Sequence, residues 1–303
     1  MIGIGMCVDS RYLAPALVTL TSLADSQGPA VTRHTTVYML SPDITRAEAD
    51  TVRAVIVRLG YRGFHARRLP LPRYPIMHGS YISRTTYLRF CFDDKVVAEP
   101  FLLYIDADIL VTGDMLAPFD TLHRGSIAVV RDEFNHTIGI GPALPKLSED
   151  CPELRGRPYF NAGVLWTTVG ILPRLNRGAN AALSQRKYIH FNDQDALNIW
   201  LHATGTFTEV DGQFNRFELD RFRQTSDWVD RILNPTLSRD GVAAVHFVGA
   251  LKPWLSICPQ TSAVRLYGAT MRTTQRLIAR TKDTSLSFPS KLQHESASHR
   301  KNS

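Results

Sequence analysis

Two aspartates separated by one residue form the most chemically suggestive pattern in the chain. Asp106 and Asp108 stand in the sequence YIDAD at 104–108. Two carboxylates at this spacing repel each other unless a cation joins them. A hard divalent ion such as Mg²⁺ or Mn²⁺ binds oxygen ligands together with the phosphates of a nucleotide. The pattern therefore predicts a metal site, with a strand-end turn that only caps backbone groups as the alternative.

A second segment, HFVGALKPW at 246–254, could complete such a site. His246 follows a short apolar run, and an imidazole suits Mn²⁺ as a third protein ligand beside two carboxylates. Gly249 allows the backbone to approach a phosphate closely, and Lys252 supplies a positive charge for it. The alternatives stay open: a histidine at a strand end can be a satisfied core residue, and the Lys-Pro-Trp sequence can be only a turn.

The elements around these residues predict where they would meet. The apolar run 101–105 predicts a central strand, and open α/β sheets bind ligands at the carboxyl ends of such strands. Further strands are predicted at 2–8, 36–40, 63–69, 126–130, 160–167, 207–210 and 242–248, and helices at 13–23, 45–59, 83–92 and 193–202. This alternation predicts an α/β fold with a mostly parallel, mixed sheet and helices on both faces.

Composition excludes several classes of protein. The chain has 303 residues, 44% hydrophobic and 21% charged, as in an ordinary globular protein. Its apolar runs fall short of the roughly 20 residues of a membrane span, and its four scattered cysteines predict neither a zinc site nor a disulfide framework. The net charge of +7 favours an anionic partner, but no nucleic-acid-binding motif accompanies it. We predict a cytoplasmic protein.

The composition changes after Trp254. Arg265, Arg272, Arg276 and Arg280 share one side of a predicted helix, and Leu266, Met271, Leu277 and Ile278 share the other. This arginine stripe could bind anionic lipid on the inner face of the membrane, or be the exposed side of a packed helix. We therefore predict a catalytic domain at 1–254, a basic helical extension at 255–282 and a disordered tail at 283–303.

Six motifs together resemble glycosyltransferase family 8, and they occur in the family's order over about residues 1–254. They are VDSRY (8–12), SRTTYLR (83–89), YIDAD (104–108), FNAGV (160–164), NDQD (192–195) and HFVGALKPW (246–254). The resemblance implies a GT-A fold, a retaining hexosyltransferase, and a UDP-hexose donor carrying most often galactose or glucose. It also implies Mn²⁺ as the cofactor, with Mg²⁺ as the other candidate.

The resemblance also assigns roles to single residues. Asp106, Asp108 and His246 would hold the metal. Donor binding would fall to Asp9, Tyr12, Arg89, Asp106, Ala107, Asn161, Gly249 and Lys252, with Asp9 and Tyr12 at the uridine, Gly249 and Lys252 at the diphosphate, and the others near the sugar. The catalytic candidates are Gln194, Asp193 and Asp132. Ser10 and Arg11 depart from the family's uridine-binding segment, which often has a second acid or an asparagine there.

For the mechanism, Gln194 matches the position near the anomeric carbon, and an amide is a poor nucleophile. We therefore expect attack on the face that the diphosphate leaves, while Asp193 or Asp132 as a nucleophile is the alternative. The acceptor would be a glycan, a lipid-linked glycan or a small natural product, contacted by residues 71–78 and 135–157.

Local alternatives remain for several of these residues. Asp9 could be a strand-end cap, and Arg89 could pair with Asp93 on a helix surface. Asn161 and Gly163 could be turn residues, and Asp193 with Gln194 could be an ordinary first helical turn. Two alternative functions also remain open: a relative that binds nucleotide sugar without turnover, and a membrane-surface module formed by the basic C-terminal segment.

Overall fold

The structure is a computed structural model that describes residues 1–74, 76, 83–123, 125–218, 241–281 and 286–289. The strands are β1 (Ile2–Cys7), β2 (Thr35–Ser41), β3 (Gly63–Arg68), β4 (Phe101–Ile105), β5 (Ile109–Val111), β6 (Ile127–Arg131), β7 (Phe160–Thr168), β8 (Phe207–Val210), β9 (Arg216–Phe217) and β10 (Ala244–His246). The α-helices are α1 (Leu13–Gln27), α2 (Pro29–Thr32), α3 (Arg46–Arg58), α4 (Pro145–Asp150), α5 (Leu172–Ser184), α6 (Asn192–Thr204) and α7 (Ser262–Ala279).

The strands form a large mixed sheet and a small one. The large sheet has seven strands in the order β3-β2-β1-β4-β7-β6-β8. Strand β1 is parallel to β2 and β4, β2 to β3, and β6 to β8, whereas β7 runs antiparallel to both of its neighbours. The small sheet has the order β5-β10-β9. The predicted mostly parallel, mixed sheet is confirmed.

Alternate residues of the central strands enter two different hydrophobic clusters. In β2, Val37 and Met39 pack in one cluster with helix α1, while Tyr38 and Leu40 pack in the other. In β4, Leu103 and Ile105 enter the first cluster, and Leu102 and Tyr104 enter the second. Because side chains alternate between the two faces of a strand, this division means that both faces of the sheet are buried by helices, as predicted.

Several predicted elements differ in extent or type. The segment predicted as a helix at 83–92 is a 3₁₀ helix, Arg84–Cys91. The last strand covers only Ala244–His246 instead of 242–248, because its antiparallel partner β5 has three residues. Helix α4 lies within residues 135–157, which were expected to contact the acceptor and for which no helix was predicted, and helix α5 was not predicted.

Helix α7 packs against α1 and α3. Its buried residues are Ala263, Val264, Tyr267, Thr274 and Ile278. The prediction that Leu266 belongs to the packed side was wrong: Leu266 is exposed, because the face that meets α1 runs through Tyr267 and Thr274 instead. Arg265, Arg272, Arg276 and Arg280 are exposed. The proposed boundary at 254 stays a prediction.

The predicted disordered tail at 283–303 lies outside the described residues, apart from 286–289. No helix in the described part of the chain is both long and apolar enough to cross a membrane.

Candidate active site

The acidic pair lies at the end of the large sheet where β4 ends and its antiparallel neighbour β7 begins. Strand β4 ends at Ile105, so Asp106 and Asp108 follow its carboxyl end. Strand β7 begins beside it, and the Gly163 carbonyl accepts a hydrogen bond from the Asp106 amide at 2.9 Å. Asn161 and Gly163 are therefore strand residues, and the turn alternative for them is wrong.

The two aspartates have different partners. Asp106 Oδ1 accepts hydrogen bonds from the Tyr104 hydroxyl at 2.7 Å and from Arg89 Nη2 at 3.3 Å. Asp108 lies 2.5 Å from Lys252 Nζ through Oδ2 and 3.3 Å from His246 Nε2 through Oδ1. Thus the aspartates do not act as simple backbone caps at the end of the strand.

These partners move the two pKa values in opposite directions. Burial raises the pKa of Asp106, Arg89 opposes this, and the nearby Asp108 carboxylate reinforces it. Burial also acts to raise the pKa of Asp108, but Lys252 and His246 more than reverse the effect and hold that pKa well below its usual range. Of the two aspartates, Asp108 is therefore the more firmly ionised.

The chemistry of the donor set fits a divalent cation. One potential ligand atom from each of Asp106, Asp108 and His246 lies within 4.8 Å of the other two. Two carboxylate oxygens and one imidazole nitrogen suit Mn²⁺ and related ions. These three residues would hold such an ion, and Lys252 beside Asp108 would share in balancing the charge.

A buried arginine joins the acidic pair to helix α6. Arg89 has a side chain that is 3% exposed, and its Nε lies 2.9 Å from Asp193 Oδ2. Its guanidinium also donates to the Ala162 carbonyl and lies 4.6 Å from the centre of the Tyr104 ring. Burial alone would lower its pKa, but Asp193, Tyr104 and Asp106 raise it. The alternative surface pair with Asp93 is therefore wrong.

Side-chain amides and Asp132 form the other side of the site. Asn161 Nδ2 donates to Gln194 Oε1 at 2.9 Å, and Gln194 Nε2 donates to Asp132 Oδ2 at 3.1 Å. Asp132 Oδ1 accepts from two backbone amides, Phe134 at 2.9 Å and Asn135 at 2.8 Å. Each of these polar groups is thus held in one orientation by a neighbour.

The start of helix α6 explains why Asp193 and Gln194 point inward. Asn192 has a φ of 53°, in the left-handed region that asparagine adopts more readily than most residues. Its Oδ1 accepts a hydrogen bond from the buried Tyr87 hydroxyl at 3.0 Å. This turn directs Asp193 toward Arg89 and Gln194 toward Asn161, so the segment is more than an ordinary first helical turn.

At the opposite end of the site, Asp9 and Tyr12 flank the end of β1. Asp9 caps a short 3₁₀ helix by accepting from the Arg11 amide, as the capping alternative expected, and its Oδ2 also lies 2.8 Å from Arg11 Nη2. The Tyr12 ring meets Trp254 edge-on, with 5.6 Å between ring centres. Gly249 has a φ of 85°, a backbone conformation that residues other than glycine seldom adopt.

One cavity of about 230 Å³ brings all of these groups together. Every site residue proposed from the sequence lines it: Asp9, Tyr12, Arg89, Asp106, Ala107, Asp108, Asp132, Asn161, Asp193, Gln194, His246, Gly249 and Lys252. Of the two segments expected to contact an acceptor, Asn135 lines the cavity, while Pro75, Met77 and His78 lie outside the described residues.

Sequence reasoning missed several residues of the site. Asn215 is fully buried, and its Oδ1 lies 2.9 Å from His246 Nδ1. The Tyr104 hydroxyl, which bonds Asp106, received no role. Phe134 and Pro289 received no role either, and both line the cavity. For Asn215 the only available signal was its place a few residues after the predicted strand at 207–210.

Comparison with known proteins identifies a family. The model of glycosyl transferase family 8 matches residues 3–258. The glycosyltransferase GlyF of Streptococcus pneumoniae serotype 4 is 26% identical over 264 residues, 83% of this chain and 57% of that protein. The lipopolysaccharide 1,2-glucosyltransferase of Escherichia coli K12 is 28% identical over 189 residues, 57% of this chain and 49% of that protein. The chain thus spans about half the length of these relatives.

Solved structures agree with the fold. The galactosyltransferase LgtC, crystallised with donor and acceptor sugar analogues, superimposes with a TM-score of 0.68 at 20% identity, covering 90% of this chain and 96% of that one. The glycosyltransferase GlyE of Streptococcus pneumoniae TIGR4 gives a TM-score of 0.62 at 19% identity, covering 97% and 67%. The predicted GT-A fold is confirmed.

Proposed function

The chain belongs to glycosyltransferase family 8, and from this premise we propose that it is a retaining hexosyltransferase dependent on Mn²⁺. It would transfer a hexose, galactose or glucose, from a UDP-sugar to a hydroxyl of a glycan, a lipid-linked glycan or a small natural product. The observation that carries the proposal is the group of Asp106, Asp108 and His246, whose ligand atoms lie within 4.8 Å of one another in the cavity.

The charges of the site support an anionic, metal-bound donor. Asp106, Asp108 and Asp193 face the cations Arg89 and Lys252. When all are ionised, three carboxylates meet two cations, so a negative charge stays uncompensated until a further cation enters. This imbalance favours a divalent ion, and the ion would in turn favour a diphosphate beside Lys252.

The residues along the cavity suggest how the donor would lie. Tyr12 and Asp9 would bind the nucleoside, Gly249 and Lys252 the diphosphate, and Ala107, Asn161, Arg89 and Asp193 the hexose. When bound, the metal would stabilise the charge that builds on the leaving diphosphate. Lys252 would donate hydrogen bonds to the same phosphate oxygens. To do so, it would give up its present contact with Asp108.

The contacts of the two aspartates near the sugar favour same-face attack over a protein nucleophile. Asp193 is held by Arg89 at 2.9 Å. Both oxygens of Asp132 accept hydrogen bonds, Oδ1 from backbone amides and Oδ2 from the amides of Asn161 and Gln194. Hydrogen bonds that stabilise a carboxylate lower its nucleophilicity. The leaving phosphate would then take the proton of the acceptor hydroxyl.

A panel of nucleotide sugars tests the proposal. With Mn²⁺ present, UDP-galactose or UDP-glucose should raise the melting temperature and be hydrolysed slowly, and EDTA should abolish both effects. Matched samples with GDP-mannose and with Mg²⁺ show the donor and metal preference. If no nucleotide sugar stabilises the protein or turns over, the proposed function is wrong.

Stereochemistry and covalent trapping test the mechanism separately. NMR of the first product should show the anomeric configuration of the donor. A slow fluorinated donor followed by intact-mass analysis should give no sugar adduct on the protein. An adduct on Asp193 or Asp132 would replace same-face attack by double displacement.

The exposed arginines of α7 favour a second role, weak contact with the inner face of the membrane. Deleting the helix would uncover core residues such as Val18 and Phe247, which share a hydrophobic cluster with Tyr267 of the helix, so charge reversal is the cleaner test. Arg272→Glu with Arg276→Glu should reduce binding to phosphatidylglycerol vesicles, whereas Arg174→Glu with Arg177→Glu, equally exposed on α5, should not. Equal binding by both variants would remove the lipid role, and the cytoplasmic location stays a prediction.

A further inference from the structure

A continuous path of hydrogen bonds crosses the site from His246 to Asp132. His246 Nδ1 meets Asn215 Oδ1 at 2.9 Å, and Asn215 Nδ2 donates to Asn161 Oδ1 at 2.8 Å. The path continues from Asn161 through Gln194 to Asp132. Asn215, a residue to which neither the sequence motifs nor the metal group drew attention, is the link between the metal histidine and the amides.

The direction of every bond in this path follows from the backbone of β7. The Gly163 amide can only donate, and it lies 2.8 Å from Asn161 Oδ1, so that atom is an oxygen. The Asn215 atom that faces the same oxygen must then be the NH₂ group. Consequently the Asn215 oxygen faces His246, and Nδ1 of the ring must carry a proton.

This fixed direction has a chemical consequence for the metal group. A neutral imidazole protonated at Nδ1 has its lone pair on Nε2. Nε2 is the nitrogen that lies 3.3 Å from Asp108 Oδ1, on the side of the two carboxylates. Partners of this kind, which hold the ring of a metal-binding histidine and set its tautomer, commonly change metal affinity by ~10–100-fold when removed.

The same strand also sets the sugar side of the path. The Ala162 amide donates to Gln194 Oε1 at 3.2 Å, and so does Asn161 Nδ2 at 2.9 Å. The Gln194 NH₂ group therefore faces Asp132. Asn161 Oδ1 is shared between Gly163 and Asn215, so a change at Asn215 also disturbs the residue expected to touch the hexose.

We propose that Asn215 is a positioning residue that presents His246 Nε2 to the metal and at the same time holds Asn161 toward the donor sugar. The proposal rests on the function proposed above. Asn215 ends a 3₁₀ helix immediately before β9, which pairs with β10, the strand that carries His246. The Phe217 ring, on β9, meets the His246 ring edge-on at 5.7 Å and limits its other movements.

Two substitutions separate the two tasks. Asn215→Ala removes both bonds, and it should weaken Mn²⁺ binding ~10–100-fold in the presence of UDP. Asn215→Asp keeps an oxygen for His246 but loses the donor to Asn161, so its Mn²⁺ affinity should stay within about threefold of the wild type while the KM for the UDP-sugar rises. The affinities come from electron paramagnetic resonance of free Mn²⁺.

Asn176→Ala is the matched control, since this amide bonds the Phe92 carbonyl, and neither residue lines the cavity. It should lower thermal stability without changing Mn²⁺ affinity. If Asn215→Ala binds Mn²⁺ like the wild type, or if Asn215→Asp loses as much affinity as Asn215→Ala, the proposal is wrong.

A measurement without metal or donor separates this proposal from the proposed function. Asp108→Ala removes the carboxylate 3.3 Å from His246 Nε2, which would otherwise compete for the proton of the ring. In this variant without metal, at a pH where the ring is neutral, ¹⁵N–¹H correlation of the histidine side chains should show His246 protonated at Nδ1, and adding Asn215→Ala should give a mixture of tautomers. Protonation at Nε2 in Asp108→Ala would overturn the proposal even if the wild-type enzyme is active, whereas absent Mn²⁺ binding by the wild type together with the expected tautomer would count against the function alone.

Discussion

The cavity has two halves that are built on different principles. We call Arg89, Asp106, Asp108, Asp193, His246 and Lys252 the charged half, and Asn161 and Gln194, with the buried Asn215 that bonds Asn161, the amide half. In the charged half, Lys252 and His246 currently face Asp108, at positions that a metal and a diphosphate would share. In the amide half, backbone amides of β7 determine which way each carboxamide points.

This difference indicates a division of labour. Ion pairs can exchange partners when a ligand enters, because Coulomb attraction has little directional preference. A carboxamide path fixed by backbone donors has one low-energy arrangement, since turning one amide would set donor against donor along its length. If the proposed function is right, the charged half would therefore adapt to the donor, and the amide half would hold the donor sugar in a fixed geometry.

The largest effect should come from the charged half. Asp108→Asn removes a proposed metal ligand and the partner of Lys252, so Mn²⁺ binding should disappear and kcat should fall at least ~10²–10³-fold. Turnover assays and Mn²⁺ titration measure this. Asp114→Asn, an exposed residue whose Oδ1 accepts from the Leu116 amide, is the control. Activity within tenfold of the wild type would mean that Asp108 does not hold the metal.

A buried carboxyl next to Gln194 in the chain, that of Asp195, should make the stability of the folded protein depend on pH. Asp195 accepts hydrogen bonds from the Tyr159 hydroxyl at 2.6 Å and from the His190 amide at 2.5 Å. Burial raises its pKa to about 6, although these bonds oppose the change. The folded protein therefore binds this proton more tightly than the unfolded chain, and the free energy of unfolding falls as the pH rises from about 4 to 6.

Asp195→Asn should remove this decrease, which amounts to at most about 3 kcal/mol. Urea unfolding at several pH values between 4 and 7 measures it, and the variant should show the flatter profile. Asp211→Asn, an exposed residue that caps a 3₁₀ helix, should keep the wild-type profile. Parallel profiles for the wild type and Asp195→Asn would show that Asp195 does not titrate in this range.

Gly163 lies where the two halves meet. A Cβ atom at this position would lie 2.4 Å from His246 Cε1 and 2.9 Å from Asn161 Oδ1. Gly163→Ala should therefore displace the ring, destabilise the fold by about 1–3 kcal/mol and weaken Mn²⁺ binding. Gly170→Ala, whose added Cβ would meet no atom of the described residues within 4 Å, should change neither melting temperature nor affinity. Identical behaviour of the two variants would mean that the halves do not touch through this residue.

The smallest effect should come from a neutral group that bonds a member of the charged half. Tyr104→Phe removes the hydroxyl that bonds Asp106 but keeps the ring beside Arg89. One such hydrogen bond contributes about 1 kcal/mol, so kcat/KM should fall only a few-fold. Tyr61→Phe, whose hydroxyl bonds the Leu20 carbonyl in the core, should leave kcat/KM unchanged. A loss comparable with that of Asp108→Asn would give Tyr104 a direct part in the chemistry.

The sequence predicted the charged half more completely than the amide half, for a physical reason. Asp106 and Asp108 follow an apolar strand, and the ends of such strands are marked by local composition. Asn161 and Gln194 were reached only through the family resemblance. Asn215 had no local pattern, because its importance depends on His246 and Asn161, which are distant in the chain.

Short and irregular elements were the other omissions. Strands β5 and β9 have three and two residues, too few to show a period of two. Helix α5 contains Asn176, Gly178 and Asn180, all weak helix formers, and it is held by its packing against α6. The longer strands β2 and β7 were predicted to within one residue at each end.

During synthesis the members of the charged half become available at different times. Asp106 and Asp108 leave the ribosome long before His246 and Lys252, because β10 is contributed by the last part of the fold. At ~5–20 residues per second, roughly seven to thirty seconds of translation separate the acidic pair from the histidine. A nascent chain thus exposes two carboxylates without their histidine and lysine, and it cannot form the complete proposed cation site until nearly all of residues 1–254 have been made.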